Sequence, residues 1–395
     1  MIANYTNSQI IAKNELSTGA NILLTGKPGT GKTELLRDIC EEYTAKGKKV
    51  VATGSTGMAA SNLDSGRTIH GFLKWHPNGK DFDYIHCSEN LKGTDLLIVD
   101  EISMLGSSII NHMTKCLRSL ERPPQLLFSG DFFQLPPVKE YRYPFENPNW
   151  AYFRLEPCVL DEVVRQRNTE FVEMLSRAML ADPSCIGYFN KASQQRKIEG
   201  AICVCTLNKY ADKINLREFM ALPGTAKPYT ALGNTSKAAF NKSRVDETLY
   251  IKKNMRVISL RNDSSGRFQN GSLGTVVDMG ADSIKVHFDN GNIVDICRIE
   301  YTLDNTTSGG DAVKIEQFPL RGGYAISIHK SQGQTFDSVN IMAPKCWDPG
   351  QLYVALSRAR DIKGIHLMVP ITAESLKADQ RVIDYYRSLT ERFVA

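Results

Sequence analysis

The segment Gly26-Lys-Pro-Gly-Thr-Gly-Lys-Thr33 restricts the possible folds of this chain more than any other feature. It fits the pattern G-x-x-x-x-G-K-[ST], in which glycines let backbone N–H groups wrap a phosphate. An apolar stretch at 21–25 precedes it, and residues 32–46 follow with apolar side chains on one helical face. A strand, a glycine loop and a helix N-terminus in this order favour a bound phosphate. The alternative is a simple glycine turn before a helix.

Strand-like and helix-like segments alternate along the first 160 residues, which predicts an α/β layer fold. Further strands are expected at 49–53, 96–99 and 125–129, and the wholly apolar run 96–99 is typical of a parallel sheet covered on both faces. Pro144, Pro148 and Pro157 cluster near residues 146–160, where we expect a domain boundary. From about 240 to 317, short β-rich pieces alternate with Asn-Gly turns, which predicts a small antiparallel β-barrel inserted into a second α/β domain.

Charge and composition add little to this picture. The net charge of +5 suits a polyanionic partner, although a basic enzyme of any kind explains it as well. Residues 1–9 show no targeting segment, and no apolar run approaches the roughly 20 residues of a membrane span. We therefore expect a cytoplasmic protein.

Two acidic residues, Asp100 and Glu101, follow the apolar run 96–99. The carboxyl end of a parallel strand delivers such side chains to the crevice where ligands bind. With Lys32 on the β- and γ-phosphates of ATP, Thr33 and Asp100 would hold Mg²⁺, and Glu101 would orient and deprotonate the attacking water. The alternative is a solvated acidic turn.

The segment Gly130-Asp-Phe-Phe-Gln-Leu-Pro-Pro137 follows the next predicted strand. Gln134 within it could donate to the γ-phosphate and lose that contact after hydrolysis, as a sensor would. Taken alone, the segment is equally well a turn stiffened by proline.

These motifs resemble, in order and over nearly the whole chain, those of superfamily 1B helicases, in particular the Pif-one and RecD-like group. The matching stretches lie at 26–33, 53–60 with 68–70, 99–104, 129–138, 164–166, 328–333 and 353–358. The resemblance implies two RecA-like domains and ATP-dependent translocation from 5′ to 3′ on single-stranded DNA.

The resemblance also implies an organisation along the chain. The expected parts are a first RecA-like domain at 1–150 with an accessory wedge at about 72–90, a second RecA-like domain at 151–236 and 319–395, and the inserted β-barrel at 237–318. The arginine-rich signature of eukaryotic members is missing between 104 and 129, and the chain is short for the group. Both departures indicate a bacterial or viral member, acting in DNA replication, repair or recombination rather than at telomeres.

Further nucleotide contacts follow from the resemblance. Arg358 is the expected arginine finger and Arg165 a second γ-phosphate contact, whereas either arginine read from the residues alone could form a surface ion pair. A helix that begins with Asp348 as its N-cap would place Arg358 and Arg360 on nearly opposite faces. Gln9 would bind the adenine edge, unless it is an exposed helix glutamine. The remaining predicted nucleotide-binding residues are Gly26, Pro28, Gly29, Thr30, Gly31 and Gly333.

The resemblance places hydroxyl, amide and basic side chains along a single-strand track, where they can hold phosphates without reading sequence. They are Thr53, Ser55, Thr56, His329, Lys330, Ser331 and Gln332. His70 joins them or is a packed core histidine. Trp75, Phe82 or Tyr84 would stack on bases if the segment at 72–87 is the wedge and not a surface loop.

The leading hypothesis is an ATP-dependent DNA helicase that acts, as a monomer, on single-stranded DNA and on tailed or forked duplexes. The first alternative is a translocase or nuclease-complex subunit that does not unwind by itself. The second is a P-loop ATPase switch that acts on proteins.

Overall fold

The fold is described from a computed structural model of the chain. The described residues are 5–56, 59–60, 63, 67–75, 89–138, 140, 142–164, 168–191, 197–233, 240, 246–263, 265–303 and 313–391. They form two compact units, one of Met1–Ile198 with Ile328–Ala395 and one of Glu199–Ser327.

The first unit contains the glycine loop. Its helices are α1 (Asn7–Ser17), α2 (Lys32–Ala45), α3 (Ile69–Phe72), α4 (Ser107–Arg118), α5 (Thr169–Met179) and α6 (Ile186–Asn190). Its strands up to residue 198 are β1 (Asn21–Gly26), β2 (Val50–Gly54), β3 (Leu96–Asp100), β4 (Gln125–Gly130) and β5 (Leu155–Leu160). After the second unit the chain returns with α8 (Ile328–Ser331), β18 (Val339–Met342), α9 (Gln351–Leu356), β19 (Ile365–Leu367) and α10 (Gln380–Glu391).

Strands β1 to β5 form one parallel sheet in the order β2-β3-β4-β1-β5. All five residues of β3 are buried, as expected for a strand covered on both faces. The order brings the carboxyl ends of β1, β3 and β4 together at one edge, and each of these ends carries a predicted site motif. The expected α/β class with a parallel sheet is therefore confirmed.

Strand β5 was not predicted, because it lies where the proline cluster suggested a boundary. It pairs with β1 through all six of its residues, with Pro157 opposite Leu23. As an edge strand, β5 tolerates the missing N–H of proline on its free side. The first sheet thus extends past residue 150, the predicted end of the first domain.

The second unit is rich in antiparallel strands. Its elements are β6 (Ile202–Cys205), α7 (Asn208–Ala221), β7 (Lys227–Thr230), β8 (Leu232–Gly233), β9 (Thr248–Ile251), β10 (Arg256–Ser259), β11 (Leu273–Met279), β12 (Ser283–Phe288), β13 (Ile293–Cys297), β14 (Ile299–Leu303), β15 (Val313–Gln317), β16 (Leu320–Gly322) and β17 (Ala325–Ser327). Strands β13-β12-β11-β10-β16 form an antiparallel sheet around a core that includes Val286, Phe288 and Phe318. The antiparallel pairing expected for this part of the chain is present, and closure into a barrel remains a prediction.

Among the described residues, no helix combines the length and the apolar character that a membrane crossing needs.

Gly26 ends β1 in a backbone conformation with φ of +145°, and a Cβ atom there would collide with the carbonyl of Leu160. We expect Gly26→Ala to lower the free energy of unfolding by about 3 kcal/mol or more, because strain and overlap add. Gly19→Ala is the matched control, since Gly19 also has positive φ (+94°) but no described atom within 4 Å of a Cβ. That control should cost about 1–2 kcal/mol. Urea denaturation measures both, and equal losses would contradict the prediction.

Candidate active site

The glycine loop between β1 and α2 folds back on its own lysine. Gly29 and Gly31 have φ of 84° and 80°, values that favour glycine, and α2 starts directly after Gly31. The Lys32 Nζ donates to the carbonyls of Gly26 at 2.6 Å and Lys27 at 2.9 Å. The ammonium group therefore lies inside the loop, where a phosphate held by the loop would meet it.

Gln9 is attached to this loop from helix α1. Its side chain is only 7% exposed, and its Nε2 donates to the Thr30 carbonyl at 3.1 Å. Its Oε1 accepts from the N–H of Thr6, in a capping box that begins the helix. The alternative of an exposed helix glutamine is therefore wrong, and the contact with adenine stays a prediction.

Asp100 and Glu101 lie at the carboxyl end of β3. Asp100 is 4% exposed, so the alternative of a solvated acidic turn is wrong for it. Burial, and then the neighbouring Glu101 carboxylate, raise the pKa of Asp100 well above its usual range, while Lys32 opposes the rise. Two oxygen-rich side chains that need a further positive charge fit a divalent cation such as Mg²⁺. Glu101 adopts a left-handed backbone conformation with φ of 55°, which is uncommon for a residue other than glycine.

The loop after β4 holds Gln134 in a buried position, 4% exposed. Its Nε2 is 3.5 Å from Asp131 Oδ2, and its Oε1 is buried with no hydrogen-bond partner among the described residues. A buried acceptor without a donor is rare and indicates a ligand or water contact. The arrangement suits the predicted sensor, whose role stays a prediction.

Asp131 connects this loop to two later helices, a feature that the sequence analysis missed. Its carboxylate accepts from the Phe133 N–H at 3.0 Å and from the Tyr353 hydroxyl of α9 at 3.3 Å. The Tyr386 hydroxyl of α10 lies 3.5 Å from Asp131 Oδ1 and also bonds Thr25, the residue before Gly26, at 2.6 Å. No local signal in the sequence identifies such contacts, because their partners lie more than 200 positions apart.

Gln332 was predicted to contact nucleic acid, but in the structure its side-chain amide is hydrogen-bonded to Glu101. Its Nε2 donates to Glu101 Oε2 at 3.0 Å, and its side chain is 5% exposed. The motif at 328–333 therefore reaches the carboxyl edge of the first sheet. Its neighbours differ: Ser331 is fully buried and donates to the Ile328 carbonyl, whereas Lys330 is exposed and His329 is half-buried.

Arg358 is 2% exposed and donates at least four hydrogen bonds. Their acceptors are the carbonyl oxygens of Val354, Ser331 and Gln334 and the hydroxyl of Ser357. Arg360, in contrast, is exposed and pairs with Asp337. The two arginines thus lie in different environments, as expected, and the alternative of a surface ion pair is wrong for Arg358.

The helix before Arg358 begins later than the sequence suggests. Its N-cap is Gly350 with φ of 76°, and the prediction of Asp348 as N-cap is wrong. Gly350 lies so close to the carbonyls of Phe133 and Gln134 that a Cβ atom would collide with both. The helix therefore starts where glycine allows this close approach, although the Gln351 side chain still bonds Asp348 at 2.7 Å.

Several residues of the predicted strand track are packed. The Thr53 hydroxyl is buried and donates to the Ile98 carbonyl at 2.8 Å. The ring of His70 contacts that of Trp75 at 5.1 Å, and burial lowers the pKa of His70, in agreement with a packed histidine. Ser55 Oγ is buried with no partner among the described residues, and Thr56 Oγ1 accepts from the Ala59 N–H. The track itself stays a prediction.

Some predicted residues lie outside the described part of the chain. They are Arg165, Phe82 and Tyr84, together with the wedge positions 76–88.

Comparison with known proteins gives relatives along the whole chain. A model of the PIF1-like helicase family matches residues 5–171, and one of the UvrD-like helicase C-terminal domain matches 322–361. The ATP-dependent DNA helicase Pif1 of Bdellovibrio bacteriovorus is 31% identical, over 96% of this chain and 91% of its own length. The human ATP-dependent DNA helicase PIF1 is 30% identical over 94% of this chain, and the chain spans 62% of its length.

Solved structures give the same result. The Pif1 helicase from Candida albicans matches with a TM-score of 0.85 and 27% identity, over 98% of this chain and 100% of that one. Pif1 from Bacteroides in complex with ADP-AlF3 and ssDNA matches with a TM-score of 0.78 and 28% identity, over 98% of both chains. This likeness supports the expected fold of two RecA-like domains.

The buried guanidinium of Arg358 should stabilise the fold. We expect Arg358→Ala to lower the free energy of unfolding by about 3 kcal/mol, because several buried carbonyl oxygens lose their donor. Arg360→Ala is the matched control and should change it by less than about 0.5 kcal/mol, since its ion pair is exposed. Urea denaturation of both variants tests this, and a stable Arg358→Ala protein would contradict it.

Proposed function

This chain belongs to the PIF1-like helicase family and is an ATP-dependent DNA helicase, and we propose that it translocates 5′ to 3′ on single-stranded DNA and unwinds duplexes by itself. The observation that carries ATP hydrolysis in this proposal is the meeting of Lys32, Asp100 and Glu101 at one edge of a parallel sheet, whereas the direction and the unwinding are carried by the likeness to Pif1 helicases. Gln332, from the motif at 328–333, reaches the same edge. One site thus joins the groups for phosphate binding and water activation to a motif of the predicted strand track.

In this proposal, Lys32 binds the β- and γ-phosphates of ATP, and Gly26, Gly29 and Gly31 supply the surrounding backbone. Thr33 and Asp100 would hold Mg²⁺, which would neutralise charge on the phosphates. Glu101 orients the attacking water and accepts its proton. The raised pKa of Asp100 supports the cation, because a nearby positive charge would offset the burial of that carboxylate.

Gln134, Arg165 and Arg358 would contact the γ-phosphate, so that ATP draws the two RecA-like domains together and hydrolysis releases them. Two states with different grips on a strand, exchanged by hydrolysis, produce directional steps. The donors of Arg358 are engaged by carbonyl oxygens, so this role requires the guanidinium to exchange at least one of them for phosphate.

Forked and tailed duplexes are the proposed substrates, bound by one copy of the chain. A Pif1 structure with a TM-score of 0.77 to this chain is described as two coordinating helicases at forked dsDNA, so the number of copies needs its own measurement. The bacterial relatives support a site of action in the cytoplasm of a bacterial or virus-infected cell.

The decisive experiment compares the ATPase rate with and without oligo(dT), beside unwinding of 5′- and 3′-tailed duplexes. We expect DNA-stimulated hydrolysis and unwinding of the 5′-tailed duplex alone. Stimulation without unwinding would indicate the translocase or nuclease-complex subunit. ATPase activity that does not respond to DNA would favour the protein-directed switch.

Lys32→Ala should abolish ATP hydrolysis but leave binding of oligo(dT), because the ammonium group serves phosphate of the nucleotide and not the strand. Lys46→Ala, an exposed lysine just past the end of α2, is the control and should hydrolyse ATP at the wild-type rate. Steady-state ATPase and fluorescence anisotropy measure the two properties. Near-normal turnover of Lys32→Ala would contradict the mechanism.

Glu101→Gln should bind ATP but hydrolyse it at least about 100-fold more slowly, because the amide cannot accept the proton of the attacking water. Equilibrium binding of a fluorescent ATP analogue and single-turnover hydrolysis separate the two steps. Lost binding would show that Glu101 holds the nucleotide instead, and unchanged hydrolysis would exclude it as the base.

A further inference from the structure

We propose that Gln332 restrains Glu101 until a strand is bound, and thereby makes ATP hydrolysis dependent on DNA. The inference rests on the proposed function, because it takes Glu101 as the water-activating base. It assigns to Gln332 a positioning role that acts through Glu101.

The restraint is a single, partly buried hydrogen bond. Gln332 Nε2 donates to Glu101 Oε2 at 3.0 Å, although the two residues are 231 positions apart. The Gln332 side chain is 5% exposed, so water does not readily replace the bond. A carboxylate oxygen that accepts from an amide is oriented by that amide and is not available to accept from a water. Hydrolysis therefore requires the Glu101 carboxylate to leave Gln332.

Two features make this bond exchangeable. Gln332 Oε1 is buried and has no hydrogen-bond partner among the described residues, so the amide is only half satisfied. Glu101 has a left-handed backbone conformation with φ of 55°, which costs free energy for a residue with a side chain. Because both partners are held in unfavourable arrangements, a modest competing interaction can separate them.

A bound strand supplies that competition. The exposed Lys330 lies two residues before Gln332, next to the half-buried His329, and a phosphate at Lys330 would act on the same short segment. The Gln332 side chain is buried against Glu101, so it must move outward to reach a strand and then loses its bond to Glu101. A strand therefore prefers the arrangement in which Gln332 has left Glu101, and this difference in affinity shifts the population. The predicted contact of Gln332 with nucleic acid and its observed contact with Glu101 are thus two states of one side chain.

The test measures ATP hydrolysis by the full chain without DNA and with saturating oligo(dT). In Gln332→Asn the amide is one methylene too short for Glu101, and in Gln332→Ala it is removed. We expect both variants to raise the DNA-free rate about five-fold, the effect of one hydrogen bond, and to change the saturated rate less than about two-fold. Gln334→Ala, a buried glutamine two residues away, is the matched control and should keep the wild-type ratio of the two rates.

Other outcomes overturn the inference in distinguishable ways. Weaker oligo(dT) binding with an unchanged ratio at saturation would make Gln332 a strand contact only. A fall of both ATPase rates would show that Gln332 assists Glu101 in hydrolysis instead of restraining it. Loss of the folded state in both variants, seen as a lowered melting temperature, would show that Gln332 has a structural role. Wild-type protein whose ATPase rate does not respond to oligo(dT) would refute the proposed function itself.

Discussion

At the carboxyl edge of the first sheet, the positive charge of Lys32 is balanced against the negative charges of buried carboxylates, and the surrounding contacts depend on this balance. Asp100 and Asp131 end neighbouring strands and are both almost fully buried, and burial raises the pKa of each. Lys32 opposes both rises, and it can do so because the glycine loop turns its ammonium group inward. Burying two carboxylates beside one ammonium group favours any further cation that enters, and under the proposed function that cation arrives with the nucleotide.

Hydrogen bonds from segments distant in sequence hold the side chains at this edge in position. Tyr353 binds Asp131, Gln332 binds Glu101, and the donors of Arg358 fix the turn that follows α8. Each is a buried donor with a directed acceptor, and such groups are costly to leave unpaired. Removing any one of these donors would leave a buried acceptor unpaired at this edge of the sheet.

Much of the fold could be predicted from local patterns, and much of the site could not. The glycine loop and strand β3 are each encoded by a sequence pattern only a few residues long, and the fold agrees with both predictions. Strand β5 was missed because proline clusters also mark boundaries, and only pairing with β1 distinguishes the two cases. The contact of Gln332 with Glu101 joins residues far apart in sequence, so neither position carries a sign of the other. The N-terminus of α9 was mispredicted because it is set by the close approach of Gly350 to Gln134, a tertiary contact that local capping patterns do not reveal.

The position of helix α10 at the end of the chain affects how the protein folds during synthesis. Val382 and Leu389 fill the same core as Phe128 and Phe132, and the bond between Tyr386 and Thr25 joins positions 361 apart. During synthesis, all strands of the sheet around β1 have been translated long before α10. The apolar surface of this sheet that α10 covers therefore stays exposed to solvent while roughly two hundred further residues are translated. Nascent chains of this protein should accordingly depend on chaperones, and those shortened before α10 should aggregate rather than form a smaller ATP-binding protein.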